Sequence, residues 1–177
     1  MADAGCAPGV VPGLALRPLS EADLPAVLVL QRAAYGDDYQ ESARVLARKL
    51  ELEREACWLA QLGGVAVGYV FAHRWSGEGA PPLHAPLAAL PDCADHGFVH
   101  DLAVSPAARG LGVAAALFAR VRAWSAAAGH RGLRLVALAD AVPFWTRHGF
   151  SALAADLPAG YGRGACLMDC PLRDPQA

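Results

Sequence analysis

The order of patterned segments predicts a mixed α/β fold, a sheet with helices packed on both faces. Three observations carry that expectation. Apolar runs of strand length and longer runs of helical period follow one another as β-α-α-β-β-β-α-β-α-β-β. Gly63-Gly64 separates two apolar runs, a hairpin signal because glycine takes the positive φ that both turn positions demand. Finally, an apolar stretch over 98–104 passes through a short glycine-bearing loop into a long helical stretch, a strand-to-helix unit.

Residues 1–13 are rich in Gly, Pro and Ala and read as a loose leader to one domain over 14–173, with a tail at 174–177. A first strand is expected over 14–19. Ser20-Glu21-Ala22-Asp23 resembles a capping box, and the helix behind it places Leu24, Val27, Leu28 and Gln31 on one face and stops near Tyr35-Gly36. A second helix is expected over 41–55, with Val45, Leu46 and Leu50 apolar and a charged opposite face. These two helices should sit over one end of the sheet. Residues 57–62 and 65–71 form the hairpin strands. Residues 75–96 are too long for a plain connector, and such loops tend to carry function. A strand over 98–104 and a helix over 110–128 follow, the latter with Val113, Leu117, Val121 and Trp124 on one stripe and Gly129 at its end. Residues 133–138 are a strand, 143–148 a short helix entered through Pro143, and 165–172 a last strand.

Composition excludes several classes. The 177 residues suffice for a core without disulfides or a structural metal. A formal charge of −2 offers no basic field for nucleic acid. Hydrophobic residues reach 55%, but 39 of them are Ala, and no apolar run approaches the about 20 residues of a membrane span. The first residues lack the charged and apolar regions of a secretory signal. Five cysteines without a Cys-x-x-Cys pair read as reduced thiols of a cytoplasmic protein, with no metal site.

The chemistry concentrates in His100-Asp101-Leu102-Ala103-Val104 and the following Arg109-Gly110-Leu111-Gly112-Val113-Ala114. Gly110 and Gly112 let an anion approach the backbone. The first N–H groups of the next helix lack intrahelical acceptors and lie at the positive end of its dipole, which suits a diphosphate without a metal. No Gly-Lys-Ser/Thr follows, so the loop is not a P-loop, and Gly-x-Gly-x-x-Gly is absent. Spacing alone leaves open a plainer role, a tight turn and close packing.

Arg109-Gly110-Leu111-Gly112-Val113-Ala114 resembles the Gln/Arg-x-x-Gly-x-Gly/Ala signature of the GNAT acetyltransferases. Asp140 to Phe150 is similar to that family's later aromatic block. Residues 16–24 look like its opening strand and helix, and Gly68-Tyr69-Val70 like its third strand. The resemblance spans about 14–172 with blocks in family order. It implies a mostly antiparallel sheet of about seven strands with a splayed strand pair holding acetyl-CoA, the acetyl donor for direct transfer to a primary amine. By position, Leu102, Ala103 and Val104 would face pantetheine, and Arg109, Gly110, Leu111, Gly112, Val113 and Ala114 would meet the pyrophosphate.

Within the family, His100-Asp101-Leu102-Ala103-Val104 most resembles the arylalkylamine N-acetyltransferases, which implies a small-molecule amine as acceptor. Two departures stand out: Phe98 replaces a second histidine of that subgroup, and Trp145 replaces the family's tyrosine acid. His100 is the expected base, because an imidazole of ordinary pKa suits proton transfer at neutral pH. Asp101, next along the strand, should point to the other face. Trp145 should pack in the core with an edge on the cofactor. Tyr161, in the Gly160-Tyr161-Gly162 loop, is the candidate replacement acid, with solvent as the alternative. His84 and His96 should roof the acceptor site, and Trp58 and Trp75 are candidates for its wall. Other acceptors of the same fold (amino acid, polyamine, antibiotic, protein N-terminus) stay open, as does a non-catalytic acyl-CoA sensor. The edges of an open sheet allow a homodimer.

Overall fold

The computed structural model describes residues 11–37, 39–77, 79–158 and 160–172. The expected tail, most of the leader and Cys6 lie outside the described residues. Leu14–Pro18 forms β1, and its Arg17 guanidinium clamps Asp23 at 2.6 and 2.8 Å. Asp23 also accepts from the Ser20 N–H and hydroxyl, so the expected capping interaction forms, on a short 3₁₀ turn at Glu21–Asp23. Helix α1 then runs over Leu24–Tyr35 and ends where Gly36 turns to φ 70°. Leu30 takes the buried place expected of Leu28, beside Leu24, Val27 and Gln31.

Helix α2 spans Ala43–Leu52, capped by the Ser42 hydroxyl on Val45 N–H, and is shorter than the sequence suggests because a 3₁₀ turn at Arg54–Ala56 follows. Strands β2 (Trp58–Leu62) and β3 (Val65–Trp75) pair antiparallel about Gly63-Gly64, as expected. Strand β4 (His96–Val104) is followed by helix α3 (Val113–Ala127), strand β5 (Gly132–Ala137) and helix α4 (Val142–Arg147). A two-residue β6 (Ser151–Ala152) and β7 (Cys166–Pro171) complete the sheet.

Among the described residues seven strands lie in the order β1-β2-β3-β4-β5-β7-β6, and of their pairings β4–β5 is the parallel one. Helices cover both faces. Val113, Leu117, Phe118 and Val121 of α3 pack on one face with Val99, Leu133 and Leu135. Helices α1 and α2 do not cap an end of the sheet: Val27, Leu30, Leu46 and Leu50 pack on its other face against Leu59, Tyr69 and Phe71. Each such aliphatic side chain withdrawn from water contributes about 1.5–3 kcal/mol. The helix α3 seat depends on Gly97, where a Cβ would come within 2.9 Å of Leu133, Ser125 and Trp124 side chains.

Candidate active site

Strand β4 runs alongside β5 only as far as Val99↔Leu135. Beyond it, β5 continues against β7 while His100 to Val104 stay with β3, so the two central strands part. The gap is a cleft of about 650 Å³. Leu102, Ala103 and Val104 line one wall, Val136 and Leu138 the other, and Ala114 and Trp145 approach from the α3–α4 side. Parting leaves the β5-side backbone of β4 without a strand partner, and the Leu102 carbonyl lies 2.7 Å from the Tyr35 hydroxyl, which shares its one hydrogen between that oxygen and Asp101 Oδ1 at 2.8 Å.

At the parting point β4 carries a bulge. Its register with β3 passes from Asp101↔Phe71 to Val99↔Ala72, which makes His100 the extra residue. Alternation along the strand is broken there, so the expectation that His100 and Asp101 face opposite sides fails. Both reach partners on the α1–α2 side. His100 Nε2 lies 3.1 Å from Glu41 Oε2, and Asp101 accepts from Tyr69, Tyr35 and Gln31 at 2.6, 2.8 and 3.0 Å. Gln31 ties the two groups together, because its side-chain oxygen accepts the Glu41 N–H at 3.0 Å.

Glu41 is the hub. Its Oε2 also accepts from Lys49 Nζ at 2.7 Å, and its Oε1 from the His84 N–H at 3.0 Å. The side chains of His100, Glu41 and Lys49 are only 1%, 2% and 1% exposed. Burial pushes the Glu41 carboxyl up, but His100 and Lys49 together outweigh it and hold the group down at about 2. Burial lowers Lys49 and raises Asp101. His73, stacked on Phe98 and 5.9 Å from the His100 ring, is pushed down to about 3 by burial.

The cofactor loop takes shape one turn later than the sequence suggests. Gly110 and Gly112 hold φ of 80° and 81°, so α3 begins at Val113 rather than at residue 110. No side chain caps it, and its first N–H groups remain available. Arg109 and Ala114 line the cleft, whereas Gly110, Leu111 and Gly112 between them are exposed and do not line it, and Val113 is buried against Gly68.

Trp145 is buried against Phe118, Phe144 and Phe150 and presents an edge to the cleft. Tyr161 also lines the cleft, but its hydroxyl donates to the Pro81 carbonyl at 2.7 Å and burial pushes its pKa up. Its proton is thereby engaged with the 76–95 loop. His84 lies in that loop but does not line the cleft, and His96 opens β4, buried beside Asp95 and away from it, so neither roofs the site as expected. Neither Trp58 nor Trp75 lines the cleft: Arg120 stacks over Trp58, and Trp75 packs on His73 and Phe98. Among the described residues no group of three or more metal-ligating side chains forms, and of the β7 cysteines Cys170 is buried and Cys166 half-buried.

Sequence reasoning missed Tyr35, Tyr39, Glu41 and Arg163, all lining the cleft. One signal was available. Lys49 sits on the apolar stripe of α2 with Val45, Leu46 and Leu50, and a lysine there demands a buried counter-charge.

The model of the acetyltransferase (GNAT) family matches residues 24–150. The chain belongs to that family. It is an acetyl-CoA-dependent N-acetyltransferase, with acetyl-CoA as the acyl donor. Solved GNAT folds superpose over nearly the whole chain. Ard1 from Thermoplasma volcanium aligns at TM-score 0.72 and 17% identity, covering 92% of this chain and 99% of its own. The loading GNATL domain of CurA from Lyngbya majuscula gives 0.77 and 13%, covering 90% and 98%. The ribosomal-protein-S18-alanine N-acetyltransferase from Escherichia coli gives 0.67 and 18%, covering 93% and 98%. At such identities these GNAT neighbours establish the fold alone. No curated protein matches the chain. No helix among the described residues is long and apolar enough to cross a membrane.

Proposed function

We propose that this GNAT enzyme acetylates the primary amine of a small molecule, with arylalkylamines as the preferred acceptors. The observation that carries the reading is the coincidence of the β4–β5 parting, the His100 bulge and the uncapped start of α3 along one cleft. Pantetheine lies in the gap beside Leu102, Ala103 and Val104. The pyrophosphate takes the amides of 109–114, where unpartnered N–H groups and the helix dipole favour an anion. Tyr35, Tyr39 and Leu83 give the acceptor end an apolar, aromatic lining that suits an aryl group. The free cysteines among the described residues accord with a reducing, cytoplasmic setting.

In the transfer, the amine nitrogen attacks the thioester carbonyl carbon. A C–N bond forms, the C–S bond breaks, and its electron pair leaves on sulfur as the CoA thiolate. The proton shed by nitrogen passes through water to the enclosed His100 ring, which acts as base. The thiolate takes its proton from solvent, because Trp145 has no acidic proton and the Tyr161 hydroxyl is held by Pro81.

Release of CoA thiol across a panel of arylalkylamines, polyamines, amino acids and peptide N-termini tests the acceptor. Arylalkylamines should give the highest kcat/KM. Turnover confined to peptides would overturn the small-molecule reading, and CoA binding without any turnover would make the chain a sensor. His100→Ala should lower turnover by roughly 10²–10⁴ near neutral pH with CoA affinity little changed. Full rate with an unaltered pH profile would remove His100 as the base.

A further inference from the structure

We infer that Glu41 is a positioning residue for His100: it fixes the imidazole in the tautomer that leaves Nδ1 as the proton acceptor, and Lys49 keeps Glu41 ionised for that task. The inference rests on His100 being the base.

The argument is one of hydrogen-bond inventory. Glu41 Oε2 takes Lys49 Nζ at 2.7 Å and His100 Nε2 at 3.1 Å, and Oε1 takes the His84 N–H at 3.0 Å. An ionised carboxylate only accepts, so the hydrogen shared with His100 belongs to Nε2. A neutral imidazole has one N–H. With it on Nε2, the lone pair falls on Nδ1, and that atom is buried without a protein partner. When Nδ1 takes the proton from the amine, the Nε2–H bond to Glu41 becomes charge-assisted and shorter. The proton-bearing state is thereby stabilised as the C–N bond forms.

The groups facing the ring accord with this. His73 on β3 donates from Nδ1 to the Arg74 carbonyl and stays neutral, so it neither competes for Glu41 nor repels an imidazolium. Asp101 is occupied by Tyr35, Tyr69 and Gln31. Among the described residues Lys49 is the lysine or arginine bonded to Glu41, which would otherwise carry an unpaired charge in the interior. The same carboxylate holds His84, whose φ of 62° is unusual for a residue with a side chain, so the ring and the loop above it share one anchor. A merely structural Glu41–Lys49 pair would need neither the His100 bond nor the His84 bond.

The test follows the pH dependence of kcat/KM and, independently of turnover, the ¹⁵N signals of the His100 imidazole. In the unaltered enzyme the imidazole should show the Nε2–H tautomer. Glu41→Gln removes the negative partner and should move the acidic limb, and the imidazole titration, to lower pH by about one unit. Lys49→Met removes the opposing cation and should move both upward. CoA affinity should hold within about twofold in each. If Glu41→Gln leaves Lys49 too poorly matched to fold, the double variant Glu41→Gln/Lys49→Met removes both charges and should still lose the fixed tautomer. An Nδ1–H tautomer in the unaltered enzyme, or limbs unmoved by both substitutions while His100→Ala removes the limb, would overturn the inference and leave His100 as base. Undiminished turnover in His100→Ala would instead strike at the reading on which it rests.

Discussion

At residue 112 the backbone sits at φ 81°, and a Cβ there would come within 3.3 Å of Val11. A β-branched side chain strains that conformation and stands in front of the first amides of α3. Gly112→Val should therefore weaken CoA binding at least tenfold, about 1.4 kcal/mol, in a titration of the folded variant. Unchanged affinity would move the pyrophosphate off this loop. The glycine-bearing loop was legible in local spacing, and His100 was singled out by the family block it resembles. Glu41 and its partners were not, because residues 41, 49 and 100 meet only through a bulge in β4 and the packing of α2 on the far face. A bulge is one residue out of register, and nothing in the run Phe98 to Val104 announces it.

Among the elements, helix α3 ties the loop to the sheet, and Gly97 sets how closely it lies. With three side-chain atoms at 2.9 Å from its missing Cβ, Gly97→Val forces α3 outward. Overpacking of this kind costs about 1–3 kcal/mol. The expected result is a Tm lowered by several degrees with CoA affinity falling alongside, because the loop moves with the helix. The 76–95 loop is an element of another kind, held from outside: Arg48 donates to the Leu87 and Ala88 carbonyls, and Tyr161 to Pro81. Tyr161→Phe should therefore cost about 1 kcal/mol of stability, read as a small drop in Tm, with turnover nearly intact. A fall of more than tenfold in turnover at unchanged Tm would return the acid role to Tyr161. Strand and helix order could be read from periodicity, and hairpin pairing from Gly63-Gly64. Where α3 starts could not, since positive φ at Gly110 and Gly112 delays the helix by a turn that apolar spacing does not register.

For the whole molecule, the buried network behind the cleft sets the response to acid. The Glu41 carboxyl lies at about 2 in the folded chain against 4.5 for the free group, because His100 and Lys49 overcome its burial. A depressed carboxyl stabilises the fold above its unfolded pKa, and that contribution drains away as pH falls from 4.5 toward 2. His73 adds to the same slope from higher up. Burial holds it at about 3 against 6.5, so below 6.5 the unfolded chain takes a proton that the folded chain refuses. Asp101 opposes them, since burial raises it and its ionisation favours the unfolded state above 3.8. Asp23, held down by its hydrogen bond to Arg17, and His96 and His130, lowered by burial, act in the same direction as Glu41 and His73, giving a Tm that declines from about pH 6.5 downward and more steeply below 4.5. His73→Gln should flatten the upper part of that decline, because a neutral amide removes the proton the unfolded chain would gain, while the part below 4.5 persists through Glu41. Thermal melts of the two proteins between pH 7 and 4 decide the matter: parallel curves would mean that His73 does not contribute to the acid sensitivity of this fold.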